Sequence, residues 1–182
     1  MYELTVRVAL NLLTPSVIQA AAREIQVGEH VQLDWPLHNV QFPGFGRKEF
    51  EHRKIDMASS IKHYGMDDEI NFNTQGGSQW DSFKHFAHQA TGKYYNNLTH
   101  EEAVKSDANG IHKWCENGGI VGRGVLVDWL SWYEEHHGKA PSPITRHEIT
   151  VDDLEAALKW QGTETKQGDI LLVRSGYVRW HK

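Results

Sequence analysis

Between Gln75 and His88 the chain reads Gln-Gly-Gly-Ser-Gln-Trp-Asp-Ser-Phe-Lys-His-Phe-Ala-His. This run holds a carboxylate (Asp81), two imidazoles (His85, His88) and two carboxamides (Gln75, Gln79), all of which can bind a hard cation, and the first three can move a proton. Gly76 and Gly77 permit a tight backbone path or a close ligand approach. If the residues after Trp80 are helical, Asp81, His85 and His88 fall at i, i+4 and i+7 on one face, a two-imidazole, one-carboxylate constellation for a metal. A chain with 12 histidines also produces such spacings by chance. The bland alternative is a glycine turn, with Trp80, Phe83 and Phe86 filling a core and His88 at a helix surface or core edge.

The same run resembles the signature of the putative cyclase superfamily, which includes bacterial kynurenine formamidase and isatin hydrolase. That signature, His-x-Gly-Thr-His-x-Asp-x-Pro-x-His-Phe, falls on Gln75, Gly77, Ser78, Gln79, Asp81, Phe83, His85 and Phe86. Gly77, Asp81, His85 and Phe86 match, and Ser78 stands for Thr. Gln75 and Gln79 stand where the hydrolases carry two metal-binding histidines, and Phe83 where they carry proline. Leu10–Pro15, Gly110–Trp114, Gly119–Asp128 and Gly168–Gly176 resemble the branch that reads Gln-Trp-Asp.

The resemblance implies an α/β fold of the swivelling β/β/α kind, a mixed sheet with flanking helices, as a single domain over residues 1–182. It also implies more strands, with a His and a Glu of a two-metal site, beyond the point where Lys182 ends this chain. By that reading the chain is the N-terminal part of the family's domain. The implied activity is hydrolysis or cyclisation at an amide, formamide or lactam of a small aromatic molecule. Asp81 would hold manganese or zinc, with Gln75 and Gln79 as further ligands, and His85 would transfer the proton. Ser78, Trp80, Phe83 and Phe45 would contact the substrate.

Carboxamides are neutral donors, so exchanging two imidazoles for them weakens zinc and relatively favours manganese, magnesium or no metal. Two other readings therefore stand beside the first. One is a metal-free enzyme in which His85 and Asp81 catalyse proton transfer, cyclisation or dehydration while the glutamines orient the substrate. The other is a non-catalytic chain that binds a ligand or a homologous chain.

Composition bounds the rest. The 182 residues, 39% hydrophobic and 24% charged, fit one globular domain. A net charge of −5 gives no reason to expect nucleic acid or an anionic membrane as partner. Cys115 stands alone, so there is no internal disulfide, and it reads as a buried, inert thiol. A small-molecule substrate, a cytoplasmic setting and a homo-oligomer are the expectations.

The elements that position the run follow from caps and alternation. Thr14-Pro15 starts a helix that Gly28 ends, after a strand or helix entry over Thr5–Leu13. His30–Trp35 alternates like a half-buried strand with Val31, Leu33 and Trp35 on one face. Residues 37–47 read as a loop; the resemblance implies that Phe42 and Phe45 on it wall the pocket, and the bland alternative pins both rings on the core. Residues 52–59 and 67–73 are strand candidates. Thr99 and Glu102 form a capping box before a short helix, and 111–116 is helical. Residues 120–129 read as a strand buried on both faces, with Arg123 in a structural ion pair or near the site. Residues 128–137 are helical and 138–143 an exposed loop. Thr150 caps a helix ended by Gly162, and 170–174 is a buried strand.

Overall fold

The computed structural model describes residues 9–40 and 42–181. They form a mixed α/β arrangement that gathers into two compact units, one of residues up to Gly28 together with those from His112, the other Glu29–Ile111.

In the first unit a 3-10 turn, Ala9–Leu12, replaces the expected strand or helix entry; positions 5–8 lie outside the described residues. Helix α1, Pro15–Ala22, begins as its sequence predicts, with the Thr14 hydroxyl accepting from the Val17 N–H at 3.4 Å. It stops before Gly28. Ile25 and Val27 beyond it are 81% and 83% exposed, so no buried face carries the helix further. Helix α4, His112–Glu116, falls where expected, but Cys115 on it is exposed, contrary to the buried thiol.

Strand β3, Gly124–Val127, pairs in parallel with β4, Ile170–Val173, with Gly124 opposite Ile170 and Val127 opposite Val173. The connection carries α5, Trp129–His137, and α6, Val151–Gln161. Asp128 caps α5 by accepting from the Ser131 N–H, and the reciprocal Thr150–Asp153 box opens α6, which Gly162 closes. Val127, Trp129, Leu130, Trp132 and Ala157 form the apolar core among these helices and β3. The expectation of strands buried on both faces is corrected. Val125 and Val127 are buried while Leu126 is half exposed, and Leu171, Leu172 and Val173 are all exposed, because a helix covers only one side. Arg123 has the structural role: its guanidinium clasps Asp169 at 2.7 and 2.9 Å and donates to the Glu164 carbonyl. Residues 140–143 are half buried instead of forming an exposed loop, and a further helix, α7, Tyr177–His181, follows β4.

In the second unit β1, Glu51–Asp56, pairs antiparallel with β2, Met66–Asn71, with His52 on Asp68 and Arg53 on Glu69 across the ladder. Met57–Ile61, expected to continue the first strand, is instead a short helix, α2, because the Asp56 carboxylate accepts from the Ala58 N–H. His30–Trp35 takes no regular secondary structure and joins neither sheet among the described residues. Val31 and Leu33 are 79% and 75% exposed, so the alternation found no sheet to join. A 3-10 turn, Leu37–Asn39, follows Pro36. Helix α3, His100–Lys105, carries the capping box the sequence predicts, with Thr99 and Glu102 bonded both ways.

Candidate active site

The chain enters the polar run from β2 through a 3-10 turn, Thr74–Gly76, capped by Asn73, whose side-chain oxygen accepts from the Gln75 N–H at 2.9 Å. A Cβ on Gly76 would stand 3.1 Å from that of Pro43, so a residue with no side chain lets the turn press against the 43–48 loop. The turn leaves Gln75 half buried and aimed at the next polar residues.

Three side chains then form a directed chain. Gln79 Nε2 donates to Gln75 Oε1 at 2.9 Å, and Gln75 Nε2 donates to Asp81 Oδ1 at 2.5 Å. The direction follows from chemistry: an ionised carboxylate only accepts, so Gln75 must turn its amide nitrogen to Asp81 and its oxygen to Gln79. The Gln75 bond is the largest influence holding the Asp81 carboxyl below its ordinary 3.8, opposed by desolvation and helped by His85, Gln79 and Arg47.

The chain does not become helical after Trp80. Residues 83–86 make turns, with the His85 N–H on the Ser82 carbonyl, so the expected helical face of Asp81, His85 and His88 does not form. A second turn brings these residues together instead. Gly92, at φ 63°, reverses the chain so that the His88 N–H donates to the Lys93 carbonyl at 2.9 Å, and the His88 ring meets the Thr91 hydroxyl at 3.0 Å. Lys93 also bridges to Thr99.

The result is a cavity of about 460 Å³ lined by Asp81, Ser82, Phe83, His85, Phe86, His88, Lys93, Tyr94 and Tyr95. Phe83 stacks on Tyr95 with centroids 4.7 Å apart, and the Tyr94 hydroxyl meets His100 Nδ1 at 3.0 Å. Lys84 points elsewhere, its ammonium bonded to the Ala103 and Ser106 carbonyls at the end of α3.

Of the residues singled out in the sequence, Asp81, Phe83, His85 and His88 line this cavity, and Gln75 and Gln79 reach it through Asp81. Ser78, Trp80 and Phe45 are not in its lining. Trp80 is 59% exposed, and Phe45 is 95% exposed with the Arg47 guanidinium 4.9 Å over its ring, so it neither walls this cavity nor pins to a core. Lys93, Tyr94 and Tyr95 were missed by sequence reasoning. Their signal was Thr91-Gly92, a turn that folds the following residues back on the motif.

The donor set does not fit a resident metal. Among the described residues no three His, Cys, Asp or Glu side chains gather as a metal site. Asp81 is the one anionic oxygen donor in the cavity, and Gln75 has its oxygen occupied by Gln79.

A family model described as Putative cyclase matches residues 31–182, most of the chain and all of this site. The chain belongs to the cyclase family. A solved structure, the crystal structure of a novel cyclase, is similar at a TM-score of 0.80 and 29% sequence identity. The match covers 97% of this chain and 61% of that one, so the chain spans about three-fifths of that cyclase's length. No curated protein matches. The likeness supports the mixed α/β fold that the motif implied.

Proposed function

We propose that this cyclase-family chain carries acid–base chemistry at the carbonyl of a small aromatic amide, formamide or lactam, without a resident metal. The observation that carries the reading is the Gln79–Gln75–Asp81 chain, which keeps a carboxylate ionised beside His85 in an aromatic-walled cavity. His85 takes the proton from the attacking water or internal nucleophile and returns it to the leaving group. Asp81 stabilises the imidazolium formed in between, as a carboxylate within electrostatic reach does. The stacked Phe83–Tyr95 pair and exposed Phe86 offer apolar faces for the aromatic ring. The glutamines serve Asp81 instead of binding a cation, which accounts for carboxamides where related hydrolases carry histidines.

The test is turnover of a panel of aryl formamides and lactams by protein stripped with a chelator, beside His85→Ala and Asp81→Asn. Activity that survives chelation and falls about 10²–10⁴-fold in His85→Ala supports the reading. Activity that vanishes on chelation and returns with manganese or zinc overturns it in favour of metal-assisted hydrolysis.

A further inference from the structure

The ribbon of β1 and β2 in the second unit has no covered face. Every residue of β2 is exposed, and on β1 only Ile55 is partly covered. No third strand joins the pair among the described residues. An antiparallel sheet commonly packs one face on other structure, and two strands alone are marginal in water. Register sorts the side chains onto two faces, because directly opposed residues point the same way. His52 and Ile70, Lys54 and Asp68, and Asp56 and Met66 share one face; Arg53 and Glu69 stand on the other.

The two faces differ in what they leave unsatisfied. Arg53 and Glu69 pair with each other at 3.3 Å. On the opposite face Asp68 bonds to His52 at 2.9 Å, and Lys54, level with Asp68 in the ladder, has no ion-pair partner among the described residues. The same face holds two large apolar side chains in the open, Met66 at 64% and Ile70 at 54% exposure, one on each side of Asp68. We propose that this face docks a second copy of the chain through the same face. A two-fold axis parallel to the strands lays β1 of each copy over β2 of the other. Because Lys54 and Asp68 are level, it brings Lys54 of each copy onto Asp68 of the other, with Met66 and Ile70 covered beside them. Stacked sheets lie about 10 Å apart, a gap that a lysine and an aspartate side chain span from opposite sides. A two-fold running across the strands would instead set β1 on β1 and Asp68 on Asp68, which like charges oppose. The charge pattern thus selects both the occupant and its orientation, independently of the chemistry proposed for the cavity.

Sedimentation equilibrium of the full chain at low and high salt reads the association. Wild type should dimerise reversibly, and more weakly as salt is raised. Lys54→Glu alone and Asp68→Lys alone each set like charges against one another twice across the two-fold, and each should weaken self-association about tenfold or more. Mixed one to one, the two variants should restore the dimer, because each copy then meets the opposite charge. An effect confined to the ribbon of a single copy would not be rescued by mixing. Wild type that stays monomeric, or a mixture that associates no more tightly than its parts, overturns the proposal. Should either variant fail to fold, wild type decides alone: on dilution its backbone amide NMR signals should shift at residues 52–56 and 66–70. Dilution shifts absent from both stretches overturn the proposal as well.

Discussion

The two units of this chain are stabilised in different ways. The first owns the apolar core: Val127, Trp129, Leu130, Trp132 and Ala157 are buried, and in the same unit Arg123 and Arg174 each clasp an aspartate, Asp169 and Asp128. The second owns the candidate active site. It is held by local devices: a two-stranded ladder whose residues are nearly all exposed, an Asn73 cap, the Thr99–Glu102 box and the turn at Gly92. A site that rests on caps and short hydrogen bonds keeps its polar groups accessible, and it depends on each of those bonds more than on apolar burial. The difference teaches where substitutions should cost stability and where they should cost chemistry.

The largest expected effect breaks the core. Leu130→Ala removes a fully buried side chain and should lower stability by about 2–5 kcal/mol in denaturant unfolding, with an unchanged cavity in the second unit. An effect under about 0.5 kcal/mol would mean that the first unit does not unfold around this cluster.

Next comes the ion pair at Asp169. Arg123 is the leading cause that holds the Asp169 carboxyl below its ordinary 3.8, with the Lys166 N–H also bonded to it. A carboxylate whose pKa is depressed on folding adds stability above its unfolded pKa, and that stability is lost as pH falls through the lower folded one. Wild-type protein should therefore lose stability as pH is lowered through and below 3.8, and Asp169→Asn should show a flatter acid limb from a lower starting point. Parallel acid limbs would remove the pair from the account.

In the second unit the effects are smaller. Thr99→Ala deletes one half of the capping box and should cost about 1 kcal/mol, and Thr99→Ser should retain most of it. Smallest is Arg53→Ala on the exposed ladder, expected within about 0.5 kcal/mol because solvent screens its pair with Glu69. A thermal-unfolding series covering both variants would blur the comparison if Arg53→Ala proved the more harmful.

How much of this was legible in the sequence depends on the range of the interaction. Local chemistry was readable: Thr14, Thr99 and Thr150 cap helices as their side chains dictate, and Gly162 ends one. Strands were less so, because a strand needs a partner. Val31, Leu33 and Trp35 alternate as a strand does, yet their stretch joins neither sheet among the described residues, and β3 is shorter and more exposed than its apolar run implied. In the site, Asp81 and His85 were legible from the motif, but the mode in which the glutamines act was not. Residue type alone does not say whether Gln75 offers its oxygen to a cation or its nitrogen to Asp81; that required the turn at Thr74–Gly76. The helical face of Asp81, His85 and His88 failed because Ser82 and Gly92 make turns in place of a helix, and the same turns bring in Lys93, Tyr94 and Tyr95.

The central claim is that the glutamine chain keeps Asp81 ionised for acid–base chemistry. The most direct measurement is an NMR titration of the Asp81 side-chain carboxyl in ¹³C-labelled protein, wild type beside Gln75→Leu. The account predicts a wild-type midpoint below 3.8 that rises in Gln75→Leu, where the main hydrogen bond is gone. A wild-type midpoint at or above the ordinary value, unmoved by Gln75→Leu, would contradict it.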